Sequence, residues 1–482
     1  MKKNVSRTNR TNALDAIIII ILLILPIMTF YAILSIQGPS WDITARYLNG
    51  KTLLNFIAGG AHKGNAFAGE YSNNLAYYFE PYREPLSTPI FAVIDAVSSD
   101  SILVYIILIF VAYAAVVWRL GKELNIDTVT ILAAMTGPYA VFFFFVPNGG
   151  EGLAVIFVIL GIIYLLKKNP VSGLFFGIAV LGKYPALILL PILILLWNKK
   201  KFAIAAILAA APIVAWGVID WGLYGVPFYS YLASISYANV ASAPSYISWS
   251  AVIGVIAYPV VFACIGIAAI FACRKRISLF FNYKSYINYK AKVYAVLVVL
   301  SLLGYAAILP HNNAFTQARY GFLLAAALMA SSAVIMGRAV LTVYKVKYAA
   351  AAFAIAVLLG YLVYSSFILN TAQLKYYNPG NKASIYAYSE NVLSSFGFNN
   401  CRVVSNAWIP MLYSGYDAYS PYIFYGDMEQ EHYPVVVFNY TGVSMGSTRY
   451  LPLLKNDTKA YSGANFTIYL PKEASCYNYT EQ

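Results

Sequence analysis

Eleven apolar runs decide what this chain can become. They lie at about 14–36, 101–119, 128–146, 151–166, 171–182, 184–197, 202–221, 247–272, 293–310, 320–336 and 348–369, and most approach or exceed the roughly 20 residues that cross a bilayer core. Only 11% of the 482 residues are charged and 60% are hydrophobic, where a soluble domain carries about 25% charged residues. So few charges cannot coat a water-soluble chain of this length. The reading is an all-α polytopic membrane protein with about eleven transmembrane helices. An arm with Lys2, Lys3, Arg7 and Arg10 precedes the first run. That pattern also opens a signal peptide, but the run is long and lacks a clear small-residue cleavage site, so an uncleaved helix is expected.

The fifth and sixth runs are short. They form one apolar stretch between Lys167-Lys168 and Lys199-Lys200-Lys201, broken at Gly182-Lys183-Tyr184-Pro185. Positive charge at both ends predicts that the stretch leaves and returns on one side, as a hairpin of two helices meeting near Lys183. The remaining basic residues follow the same rule. With the N-terminus inside, most of the 33 Lys and Arg fall on cytoplasmic segments. The formal net charge of +14 is then a topology signal and an attraction to anionic lipid headgroups. It excludes nucleic acid as the partner that the charge implies.

Two polar regions are expected outside: the loop 37–100 and a tail from Asn370. The division is a transmembrane domain over 1–369 that includes the loop, and an extracytoplasmic α/β domain over 370–482. Strand-like runs at Cys401–Ser405, Pro434–Asn439 and Phe466–Leu470, with a helix around Ser384–Ser395, suggest the latter. Four N-x-T acceptors in the tail, at Asn439, Asn456, Asn465 and Asn478, agree with export, although Asn4 and Asn9 match the motif in the predicted cytoplasmic arm. Cys401 and Cys476 would be able to pair if the tail is outside.

Ionisable groups at membrane depth are costly and mark candidate sites. Glu151, Lys183, Asp220 and Arg319 lie near the predicted outer ends of spans, and the outer loop adds Asp42, Glu80, Arg83 and Glu84. Asp42 and Arg46 fall on one face if the segment is helical; Asp42 is a candidate general base or simply a cap or ion-pair partner. Arg83, in the proline-rich run Glu80–Pro89, and Arg319 suit bidentate phosphate binding, or headgroup pairing. Glu151 opens a helix, where the helix dipole favours it regardless of function. Lys183 sits among apolar residues at a break, either neutralising a phosphate or snorkelling to the interface. Asp220, between Trp216 and Trp221, reads either as a substrate contact or, in preference, as the end of a helix in the aromatic belt. His311, with His62 and His432, makes too scattered a set for a metal centre. Nothing reads a nucleotide, so no cofactor is expected, although a divalent metal is not excluded.

Taken in order, these landmarks resemble the GT-C superfamily of membrane glycosyltransferases, most nearly the polyprenyl-phosphate-mannose-dependent mannosyltransferases. The likeness rests on Asp42 with Ala45-Arg46-Tyr47, on Tyr82-Arg83-Glu84-Pro85-Leu86, on Pro147-Asn148-Gly149-Gly150-Glu151-Gly152-Leu153, on Gly173 through Pro185, and on Arg319-Tyr320. It departs in lacking a second acidic residue beside Asp42, and the tail matches nothing in that family. The resemblance implies inverting transfer of a hexose, mannose by the family pattern, from a polyprenyl-phosphate donor to a glycan, protein or lipid acceptor outside the cell. Asp42 would be the base, and Lys183, Arg83 and Arg319 would hold the donor phosphate. Glu84, Glu151, Tyr82, Tyr184, Tyr320 and His311 would line the substrate site. The alternative is a multi-span transporter or flippase, which should place its ionisable groups near the bilayer midplane between repeats. A surface scaffold is a third reading, and it leaves Lys183 without a reason.

Overall fold

The computed structural model describes residues 13–37, 41–57, 84–98, 101–137, 140, 150–232, 234, 249–272, 286–308, 320–365, 402–405, 417–419, 434–438, 458–463 and 466–470. The predicted helix at Ser384–Ser395, the Cys401–Cys476 pair and the four N-x-T asparagines lie outside these residues. The helices are α1 (Ala13–Gln37), α2 (Trp41–Ile57), α3 (Ser87–Asp95), α4 (Ser101–Leu124), α5 (Thr128–Met135), α6 (Gly150–Leu166) and α7 (Ser172–Gly182). A 3₁₀ helix follows over Tyr184–Leu196, then α8 (Lys199–Tyr224), α9 (Trp249–Ala272), α10 (Tyr286–Ile308), α11 (Phe322–Thr342) and α12 (Val346–Val363). Among the described residues, seven helices are long and apolar enough to cross a membrane, and three shorter apolar ones join them. This is a multi-pass membrane protein. The chain divides into two compact units, one of 1–31, 81–90 and 100–363, the other of 32–80, 91–99 and 364–482.

In the first unit α11 is the central helix: 72% of its spanning window is buried, against 39% or less for every other candidate span. Small residues such as Ala325, Ala326, Ala330 and Ala333 let its neighbours approach. Seven of the eight residues of α5 are buried, so its backbone must be satisfied largely by protein. Asp127 caps its start by accepting from the Thr130 amide at 3.0 Å. The hydroxyls of Tyr113 and Tyr258 donate to the carbonyls of Met135 and Ala133 at 2.6 and 2.5 Å, which are among the carbonyls a helix end leaves open.

The predicted hairpin is present, but its second arm is a 3₁₀ helix. Thirteen residues of α-helix would rise only about 20 Å, whereas the 3₁₀ form at roughly 2.0 Å per residue gives about 26 Å. The tighter winding brings a short apolar segment close to bilayer thickness. The first arm, α7, packs hard on α8: a Cβ on Gly177 would collide with the Ala209 carbonyl and lie 2.8 Å from Pro212 Cγ. This close approach of small residues is how helices associate in lipid.

At the lysine-rich end of the unit, side chains close helix termini. Lys290 donates to the Glu123 carbonyl at 2.7 Å and the Tyr289 hydroxyl to the Leu165 carbonyl at 3.0 Å. Cations at helix C-termini also complement the helix dipole. The first and last membrane helices are tied there by Lys347, whose ammonium lies 2.8 Å from both carboxylate oxygens of Asp15 and 2.6 Å from the Tyr344 hydroxyl.

The second unit contains a five-stranded mixed sheet from the tail: β1 (Arg402–Ser405), β2 (Asp417–Tyr419), β3 (Val435–Phe438), β4 (Thr458–Ser462) and β5 (Phe466–Leu470). Its order is β2-β1-β3-β5-β4. β2, β1 and β3 run parallel, while β5 pairs antiparallel with β3 and β4. Val403, Val404, Val436, Phe466 and Ile468 are buried in it. The same unit holds α2 packed on residues 91–95 of α3, with Gly50 against Phe91, where a Cβ would lie 2.9 Å from the Ala92 nitrogen.

Because both charges of the Asp15–Lys347 pair are buried, Asp15→Ala is expected to cost about 3–5 kcal/mol by stranding the ammonium, and Asp15→Leu combined with Lys347→Met to recover most of it. Thermal unfolding in detergent of the single and double variants checks this.

Candidate active site

Three ionisable side chains from distant parts of the sequence meet at the break in the hairpin. The Lys183 ammonium lies 3.3 Å from Glu84 Oε1 and 3.1 Å from Glu151 Oε1, and all three side chains are buried, at 4%, 6% and 0% exposure. The Tyr320 ring sits with its centroid 6.0 Å from the same ammonium, at the edge of cation–π range. Every one of these residues was a candidate in the sequence. That Glu84 and Glu151 converge on Lys183 was not.

Local structure explains the meeting. α7 ends at Gly182, and Lys183 takes an extended backbone before Pro185 starts the 3₁₀ helix. Gly182 passes so close to α6 that a Cβ there would lie 2.9 Å from the Ala154 nitrogen. The first turn of α6, with Glu151, is thereby brought beside the lysine. Glu84 arrives differently: the Leu86 amide donates to the Leu181 carbonyl at 3.2 Å, tying the proline-rich segment to the last turn of α7. An ammonium has three N–H donors. Two face carboxylates here.

Tyr184 is buried, and its hydroxyl donates to Ser230 Oγ at 3.1 Å. Asp220 lies near the C-terminal end of α8. It is fully buried and accepts from the Ser230 amide at 2.9 Å and hydroxyl at 2.6 Å. Ser230 and Trp216, which complete this cluster, were not foreseen. The available signal was the carboxylate itself, lodged in an apolar span.

Asp42 lies in the first turn of α2, where the helix dipole favours a carboxylate; its side chain is outside the described residues, as are Tyr82, Arg83, His311 and Arg319. Arg46, one turn on, is fully buried. Tyr47 fixes α2 against α3, with its ring edge-on to Phe91 at 6.1 Å. Burial, and then the adjacent Asp95 carboxylate that accepts its proton in a hydrogen bond, push the Tyr47 hydroxyl up to about 12. It therefore stays a donor at any physiological pH. Among the described residues no three His, Cys, Asp or Glu side chains cluster as metal ligands would.

Neither protein-family models nor curated protein sequences give a match to the chain. Among solved structures, that of ArnT from Cupriavidus metallidurans bound to undecaprenyl phosphate superposes with a TM-score of 0.54 at 11% identity, covering 97% of this chain and 100% of that one. At that identity the likeness is one of fold. This chain therefore has an ArnT-like fold.

Lys183→Met would take the ammonium away from two buried carboxylates and is expected to cost about 3–5 kcal/mol. Neutralising all three groups, as Lys183→Met with Glu84→Gln and Glu151→Gln, should recover most of that loss. Differential scanning calorimetry in detergent distinguishes the two variants.

Proposed function

We propose that this protein is an inverting glycosyltransferase that moves a hexose, mannose in the first instance, from a polyprenyl-phosphate donor to a glycan, protein or lipid acceptor. The reaction takes place on the face of the membrane opposite the lysine-rich helix ends. That face is the cell exterior, with the N-terminus in the cytoplasm and the tail outside. The observation that carries this reading is the buried Glu84–Lys183–Glu151 cluster at the break of a membrane hairpin. A fully buried ion triad is a poor source of stability, which supports chemistry as its purpose.

The site's position agrees. Along α8, Lys199 to Asp220 rises about 32 Å at 1.5 Å per residue, nearly the whole hydrocarbon thickness. Asp220 is joined through Ser230 to Tyr184, the neighbour of Lys183. The lysine therefore belongs near the end of the membrane remote from Lys199–Lys201, where a lipid headgroup would sit. The ArnT structure of the same fold holds undecaprenyl phosphate, which supports a polyprenyl phosphate as the ligand here.

The family resemblance supplies the remaining roles, with Arg83 and Arg319 adding positive charge to that of Lys183. Glu84 and Glu151 then orient Lys183 and limit its charge so that the phosphate can leave again, while Arg83 and Arg319 grip it bidentately. Tyr82, Tyr320 and His311 line the sugar side.

In the reaction the acceptor hydroxyl oxygen attacks the anomeric carbon and gives its proton to the Asp42 carboxylate. The bond from that carbon to the phosphate oxygen breaks, the lipid phosphate keeps the electron pair, and the anomeric configuration inverts. Lys183, Arg83 and Arg319 stabilise the charge gathering on the phosphate. No step needs a nucleotide.

The test is transfer by the purified protein from radiolabelled polyprenyl-phosphate mannose or glucose. Wild type should turn over, Asp42→Asn should lose about 10²–10⁴-fold in kcat, and Arg83→Ala and Arg319→Ala should raise the donor KM. Turnover unchanged in Asp42→Asn removes it as the base, and no transfer from either donor contradicts the assignment.

A further inference from the structure

Asp220 is a carboxylate inside a membrane-spanning helix, fully buried, and outside the Lys183 triad. Burying it is costly, and its Oδ1 has no hydrogen-bond partner among the described residues. Its other oxygen holds Ser230 by both backbone and side chain. A cap alone needs neither this burial nor the further groups gathered on that serine.

Ser230 Oγ is a junction with all its capacity used. It lies 2.6 Å from Asp220 Oδ2, 2.8 Å from Trp216 Nε1 and 3.1 Å from the Tyr184 hydroxyl. An indole N–H can only donate and an ionised carboxylate can only accept. The serine proton therefore goes to Asp220, one lone pair takes the indole proton, and the other is left for Tyr184, which must donate. With Asp220 ionised, the cluster has one arrangement of protons, and it fixes where the Tyr184 oxygen sits. Tyr231, next to Ser230, closes edge-on over the Tyr184 ring at 5.2 Å.

Tyr184 is one peptide bond from Lys183, at the point where α7 has ended and the 3₁₀ helix begins. On the α7 side the break is held by the Leu86–Leu181 backbone hydrogen bond. On the other side its side-chain hold is Tyr184. We propose that Asp220, acting through Ser230 and Tyr184, is a positioning residue for Lys183: it keeps the extended break, and so the ammonium, in register with the donor phosphate. The proposal rests on the donor reading above for its kinetic consequence, but its structural core does not. Lys183 touches the ligand, while Asp220, Ser230 and Tyr184 act on it from behind.

The variants are Tyr184→Phe, Ser230→Ala and the two combined; Tyr184→Phe removes one oxygen and keeps the ring packing. With polyprenyl-phosphate mannose, each single change is expected to raise the donor KM about five- to tenfold, the worth of one hydrogen bond, and to leave the acceptor KM alone. The double variant should be no worse than either single, since both cut one path. A merely structural pin would instead lower the yield of folded enzyme and Tm additively with donor KM unchanged, and that result overturns the proposal. A second readout does not depend on activity. In protein carrying ¹⁵Nζ-lysine, the Lys183 ammonium resonance, assigned by its loss in Lys183→Arg, should move in both single variants without any donor present. A resonance unmoved in both overturns the proposal whether or not the protein transfers sugar; a moved resonance with an inactive wild type sinks the donor reading alone.

Discussion

The Lys183 ammonium between the carboxylates of Glu84 and Glu151 is the constraint on which the membrane unit is organised. Buried charge is tolerated in lipid surroundings only when it is paired and when the backbone around it is satisfied. Both conditions demand long-range order. Gly182 must lack a side chain so that α6 can come close, α7 must stop so that Lys183 can extend, and Leu86 must hydrogen-bond to Leu181 so that Glu84 can reach in. The short α7 and the stretched 3₁₀ helix follow from placing a lysine at the turn of a hairpin too short for two ordinary spans.

The two ends of the membrane unit use charge in different ways. At the lysine-rich end, cations close helix termini and clamp α1 to α12 through Asp15–Lys347. These contacts complete a scaffold. At the opposite end, the Lys183 triad and the Asp220–Ser230 junction surround a break in the chain. Paired charges at helix ends stabilise at little cost, whereas a buried triad carries the full cost of desolvation. That contrast is why the second set reads as a site.

Much of this was legible in the sequence. Every apolar run has a described helix within it, because length and hydropathy alone decide what a bilayer accepts, and the hairpin was predicted from lysines at its two ends. The 3₁₀ winding was not, since period and propensity do not distinguish it from α in an apolar stretch; only the geometric need to span does. In the tail, β1, β3 and β5 were visible as runs of valine, isoleucine and phenylalanine, while β2 (Asp417–Tyr419) and β4 (Thr458–Ser462) are too short or too polar to carry a periodic signal. Of the site, Lys183 announced itself as a charge without a structural need. Glu84 and Glu151 each had a sufficient local explanation, so their convergence depends on packing that no local pattern encodes. The hold of Asp220 on Ser230 was hidden for the same reason: Ser230 lies beyond the turn that ends α8.

The central claim is that Lys183 receives the phosphate of a polyprenyl lipid, and the most direct measurement is the dipolar coupling between them. Protein carrying ¹⁵Nζ-lysine, reconstituted with undecaprenyl phosphate, should show one ammonium resonance dephased by the lipid phosphorus, and Lys183→Met should abolish that dephasing. An ammonium signal untouched by the phosphorus, or a dephased signal that survives Lys183→Met, would contradict the account.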